Sequence, residues 1–215
     1  MQNHFIVIDK NGSEKIIDNC KNIKIVFKGN NSVVKIYEPF KIFGTLYIQC
    51  VNDCYTEIQS GLIVYSNMRI HLKNYNKCIL GKNFHVHDVN IFNWTEPGID
   101  VTVGNDCLFS SDVNLRTSDG HVIYDNESLC AINKPERGIS IGNHVWCGSK
   151  VDILKDVLIK NDIIIGTCSL VTKGAYDSNT VIGGCPAKVI KNNVNWHSCN
   201  SCEWEDLRLH HSTSK

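Results

Sequence analysis

A chain of 215 residues with 22 Lys plus Arg against 22 Asp plus Glu has no formal net charge, so no basic field exists to hold a nucleic acid and no such partner is expected. The length suffices for one well-buried unit, and no apolar stretch is long enough for a membrane span. The segment Met1 to Lys10 lacks the charged leader and apolar core of a secretory signal, which makes the cytoplasm the expected location.

From Phe5 to about Tyr75, short β-rich runs alternate with turn residues. Phe5-Ile6-Val7-Ile8, Ile23-Lys24-Ile25-Val26-Phe27 and Val33-Val34-Lys35-Ile36-Tyr37 are separated by Gly12, Gly29-Asn30-Asn31 and Gly44. These read as irregular early coils over residues 1–79. A six-residue beat then sets in, loosely at Leu80, Val86 and Phe92, more firmly at Val103, Phe109 and Leu115 with Cys107 and Val113 between. It is strict at Ile141, Cys147, Ile153, Ile159, Ile165 and Val171, with Val145, Val151, Val157, Ile163 and Ser169 each four places after an apolar member.

A helix needs apolar steps of three and four, and a half-buried strand alternates in twos. A period of six belongs to a parallel β-helix, in which each hexad supplies one short strand and one corner of a triangular prism. Gly142, Gly148 and Gly166 each follow an inward position, where a side chain would crowd the turn. The expectation is an all-β, parallel β-helix forming a single unit over residues 1–215. Regular coils occupy 80–191, a long protruding loop 116–138 separates two out-of-phase runs, and 192–215 form a short C-terminal cap or tail.

Eleven cysteines is an odd number, and Cys107 and Cys147 fall on core-like hexad positions, so reduced thiols are expected rather than a disulfide framework. Cys199-Asn200-Ser201-Cys202 has the spacing of half a metal site. His85, His87, His121 and His144 offer no obvious three-ligand set, and no metal is expected.

The hexads from Ile141 to Val171 and the segment Gly184-Cys185-Pro186-Ala187-Lys188 resemble the hexapeptide-repeat acyltransferases. Arg116-Thr117-Ser118-Asp119-Gly120-His121 and Ile141-Gly142-Asn143-His144-Val145-Trp146 are similar to a narrower group, the bacterial capsular polysaccharide O-acetyltransferases, including those acting on sialic-acid-containing capsules. The resemblance implies a left-handed β-helix, a homotrimer, and acetyl-CoA bound in a groove between neighbouring solenoids. It places a catalytic base at His121 and an active-site indole at Trp146. Cofactor-binding positions would include Trp146, Lys150, Lys155, Thr167, Thr172, Lys173 and Lys188.

The chemistry asks for such a base independently. A hydroxyl is a poor nucleophile until a group like imidazole accepts its proton during attack on a thioester. The tetrahedral oxyanion then needs a hydrogen-bond donor, for which a backbone N–H near the Trp146 turn is a candidate. Asp119, Asp125 or a backbone carbonyl are the candidates for orienting His121, and Arg116, Lys134 and Arg137 are cations available to an anionic glycan. Two other readings stay open: acetylation of a small amino sugar, nucleotide sugar or amino acid, and a non-catalytic glycan-binding solenoid using Trp94 and Trp146.

Overall fold

The computed structural model describes residues 2–212, and the chain winds as a left-handed parallel β-helix. Each coil lays one strand on each of three faces. On the first face Ile36, Ile58, Leu80, Val103, Ile141 and Ile159 stack in register. The second carries Val64, Val86, Phe109, Cys147, Ile165 and Ile182. The third carries Ile25, Ile48, Ile70, Ile91, Leu115, Ile153 and Val171. Connections between parallel strands are right-handed when a helix packs back on the sheet. Here corners and loops without a helix connect the strands, so that constraint is absent.

All eleven members of the strict run, from Ile141 to Val171 with their partners from Val145 to Ser169, are at most 3% exposed. Each fully buried aliphatic side chain contributes about 1.5–3 kcal/mol relative to exposure. One continuous apolar column therefore runs the length of the prism.

The corners explain the rest of the hexad. His144, Lys150, Asp156, Asp162 and Cys168, each three residues after an inward member, all have positive φ, a conformation that Asp and Asn tolerate best. At the corner between first and second faces, the backbone N–H of Lys82, Asn105 and Asn143 donates to the amide oxygens of Asn105, Asn143 and Asn161 in turn, each at 2.8 Å. A Cβ on Gly142 or Gly148 would collide with the next coil at Lys160–Asn161 or Thr167, whereas at Gly166 the nearest atom is 3.5 Å away. Gly166 is thus not crowded, because the chain above it is already leaving the helical path.

Phe92 departs from the beat. The second corner of its coil is one residue short, with a register shift between Val86 and Asp88, so Val89 and Ile91 point inward and Phe92 points out. The early coils also repeat at a longer interval: Asn30, Asn52 and Asn74 form a corner ladder with 22 residues between successive members.

After Thr180–Gly184 the chain turns at Cys185-Pro186 and returns antiparallel as Ala187–Asn192, closing the last coil. The helix Ser201–Ser212 lies alongside, with Trp204 near Trp146. Its start is capped reciprocally, Glu203 N–H donating to Asn200 Oδ1 at 2.9 Å and Asn200 N–H to Glu203 Oε2 at 3.2 Å. Among the described residues no helix is long and apolar enough to cross a membrane. All eleven cysteines are free thiols, five of them buried.

Candidate active site

The loop after Arg116 leaves the end of the third face and returns at Gly138 to the first face of the next coil. It forms an arm closed by a Tyr124–Ala131 bridge and by the Ile132 N–H donating to the Ile123 carbonyl at 2.8 Å. Val122, Ile123, Tyr124, Leu129 and Ile132 project from it, each at least half exposed.

A buried polar knot fixes the arm's root. Asn76 Nδ2 donates to Asn93 Oδ1 at 2.9 Å, Thr117 Oγ1 donates to the same oxygen at 2.9 Å, and Asn93 Nδ2 donates to the Ile99 carbonyl at 2.6 Å. All three side chains are fully buried. The knot ties the 94–99 loop and the first arm residue to one corner. On the return side the buried Asp156 carboxylate accepts the N–H groups of Glu136 and Arg137 at 2.9 and 2.7 Å. Asp156→Ala leaves two donors unpaired and puts Ala at positive φ; an expected loss of about 2–4 kcal/mol in urea unfolding follows. Asp156→Asn keeps an acceptor and tolerates the backbone, so it is expected to lose less than half as much.

His121 sits on the exposed arm beside a cavity of about 360 Å³ lined also by Thr95, Glu96, Ser118, Asp119 and Asn133. Its backbone carbonyl accepts from Asn133 Nδ2 at 2.9 Å. Neither Asp named from sequence bonds the imidazole in this chain. Asp119 accepts from Lys155 and from Asn133 Nδ2, at 2.8 Å for the latter, and the Lys155 hydrogen bond holds its carboxyl below the usual carboxylate range. Asp125 closes a local turn with Glu127 and Ser128, whose hydrogen bonds likewise lower its pKa.

Trp146 projects from the second face, 39% exposed, in a column with Leu108 and Ile164. It does not lie under the arm. Trp196 flanks it at 5.9 Å between ring centroids, and Trp196 is itself clamped by stacking on His144 at 4.4 Å and by its indole N–H donating to the His144 carbonyl at 2.9 Å. Trp146, Trp196, His197 and Trp204 line a cavity of about 560 Å³. In a triangular prism the corner bearing the arm lies opposite the second face, so one chain holds His121 and Trp146 on different sides.

The remaining sequence-named positions divide in the same way. Lys150 and Thr167 border the corner between second and third faces, and both are exposed. Lys155, Thr172 and Lys173 border the arm's corner, where Lys155 binds Asp119 and the Asn133 carbonyl and Lys173 pairs with Glu136 at 2.8 Å. Lys188 is exposed on the terminal hairpin. The Gly148 N–H already donates to the Ile165 carbonyl at 2.8 Å, which removes it as an oxyanion donor.

Cys147 is buried next to Trp146, and desolvation pushes its thiol well above the ordinary value. Cys147→Ala is therefore expected to cost about 1–2 kcal/mol of stability through the cavity it leaves while kcat stays unchanged. A trapped acetyl-cysteine at this position would overturn that expectation. Among the described residues no three His, Cys, Asp or Glu side chains gather as a metal site.

Sequence reasoning missed Asn76, Asn93, Asn133, Asp156 and Trp196. Asp156 had one legible sign, an acidic residue at a corner position otherwise rich in Asp and Asn. The others owe their roles to contacts between distant coils.

No family model matches the chain. The polysialic acid O-acetyltransferase of Neisseria meningitidis is 32% identical over 192 residues, covering 88% of this chain and 77% of the relative. The polysialic acid O-acetyltransferase of Escherichia coli O1:K1 / APEC is 38% identical over 103 residues, 48% of this chain but only 33% of that protein. Among solved structures, the polySia specific acetyltransferase NeuO superposes with a TM-score of 0.78 at 26% identity, covering 98% of this chain and 87% of that one. The coils, the arm and the long match to the meningococcal relative place the chain in the family of hexapeptide-repeat acetyltransferases that contains the polysialic acid O-acetyltransferases.

Proposed function

We propose that the protein is an acetyl-CoA-dependent O-acetyltransferase that works as a homotrimer in the cytoplasm and modifies a hydroxyl of a capsular glycan, with polysialic acid as the acceptor. The observation that carries this reading is His121, an imidazole on an exposed arm at the rim of a cavity, in a chain of this family. His121 accepts the proton of the acceptor hydroxyl as its oxygen attacks the thioester carbonyl. A C–O bond forms, the C–S bond breaks, and the imidazolium returns the proton to the departing thiolate. Transfer is direct in this reading, because the Cys147 thiol is fully buried in the apolar column, out of reach of an acyl donor.

The two-sided distribution of site residues supports an assembly. A crevice formed by the second face of one protomer and the arm's corner of the next would join Trp146, Lys150 and Thr167 to His121, Thr172 and Lys173. The apolar arm would be covered in the same step. The exposed ammonium groups of Lys150 and Lys188 suit the phosphates of the donor. Incubation with labelled acetyl-CoA and a panel of capsular glycans, followed by NMR location of the ester, tests this function. Label on a sialic acid hydroxyl is expected; label only on amines, or on no glycan, would overturn it.

A further inference from the structure

The third face carries two outward columns that no part of the transfer chemistry uses. Lys24, Tyr47, Arg69, Asn90 and Asn114 stand in register in one, and Gln49, His71, Phe92 and Arg116 in the other. The rings join across the columns. Lys24 lies over Tyr47 at 5.9 Å, Tyr47 meets His71 at 5.5 Å, His71 stacks on Phe92 at 5.5 Å and meets Trp94 edge-on at 5.4 Å, and Arg116 covers Phe92 at 5.0 Å. Arg69 is exposed and is held in place by a 3.2 Å hydrogen bond to Asn90 Oδ1.

These side chains line one trough. A cavity of about 420 Å³ around Tyr47, Arg69 and His71 shares His71 with a second of about 420 Å³ lined by Gln49, Phe92, Trp94 and Arg116. The second shares Thr95, Ser118 and Gly120 with the cavity of His121. At about 4.8 Å per coil, the row from Lys24 to Arg116 is roughly 20 Å long. No carboxylate stands in the row itself: Asp88 lies at its edge, at the start of its strand segment, and Asp152 one coil beyond Asn114, while at its end Glu96 and the Lys155-paired Asp119 line the cavity of His121. Burial, and then the neighbouring Arg69, lower the His71 pKa from its ordinary value.

We infer that this face is a binding lane for an extended anionic polysaccharide, which lies along the aromatic row, meets Lys24, Arg69 and Arg116 with its carboxylates and delivers a sugar to His121. Aromatic rings suit the C–H faces of sugars while a guanidinium grips a carboxylate with two parallel bonds. A site for a small acceptor has no need of four further coils of matched rings and cations. The inference rests on the acceptor reading given above and extends it to the polymer beyond the reacting sugar.

The test compares wild type with Arg69→Ala and Tyr47→Ala on a long sialic acid polymer and on a sialic acid trimer. For the polymer, KM is expected to rise about tenfold in Arg69→Ala, which loses a charge-assisted hydrogen bond, and about threefold in Tyr47→Ala, which loses a ring contact, with kcat unchanged in both. For the trimer both constants should stay within about twofold of wild type. No change with the polymer, or an equal change with the trimer, would overturn the lane. Titration of the same polymer without acetyl-CoA separates this inference from the function. Salt-sensitive binding weakened by Arg69→Ala supports the lane even if wild type transfers no acetyl group, and absence of polymer binding by wild type removes it.

Discussion

Replacing His121 with Ala is expected to lower kcat for acetyl transfer by roughly two to four orders of magnitude, the span of a lost general base. The fold should not notice. The side chain is exposed, and its residue's tie to the arm runs through the backbone carbonyl that accepts from Asn133 Nδ2, a bond that Ala retains. The unfolding midpoint and the KM for acetyl-CoA are therefore expected to match wild type, so that the loss falls on kcat alone, the signature of an interaction made in the transition state. His121→Asn, which keeps polarity without basicity, should be as inactive. A free amine needs less base assistance than a hydroxyl, so any residual transfer should favour amine acceptors. Normal turnover by either variant on a glycan hydroxyl would remove His121 from the mechanism.

The C-terminal half of the fold was legible because three equal hexads make one coil and every inward position recurs in phase. The N-terminal half repeats too, but on a longer coil with a wider third face: the strand Thr45–Cys50 has six residues where Val151–Ile153 has three. A search for a beat of six finds only irregular strands there. The 22-residue spacing of Asn30, Asn52 and Asn74 was the available sign. Phe92 shows how narrow the margin is, since a single residue lost at a corner turned an expected core ring into an outward one.

The site divides along the same line. His121 and Trp146 stood out because their motifs are contiguous. What holds them did not, because the Asn76–Asn93–Thr117 knot, the Lys155–Asp119 pair and the stack of Trp196 on His144 each join residues far apart in the chain. Lys155 illustrates the consequence. The resemblance made it one of several candidate cofactor-binding lysines, yet its ammonium is spent on Asp119 and the Asn133 carbonyl of the arm.

Protomers carrying only His121→Ala and protomers carrying only Trp146→Ala are expected to be nearly inactive alone and to regain activity when assembled together. The arm springs from the corner opposite the face of Trp146, so in the proposed assembly each site would draw the imidazole from one chain and the indole from its neighbour. Trp146→Ala alone removes a large half-exposed ring from the crevice and is expected to cut kcat/KM by at least about thirtyfold, the scale of an interface hot spot. In a closed trimer that contains both variants, one boundary of the three, roughly a third, would pair an intact arm with an intact indole. Co-expression with two different affinity tags and purification through both isolates the mixed assemblies, which should recover activity on about that scale. Had one chain supplied both groups, every protomer in the mixture would lack one of them and no recovery would be possible. Mixed assemblies no more active than their parents, or a monomer with full activity, would therefore defeat the shared-site geometry while leaving the fold and the family untouched.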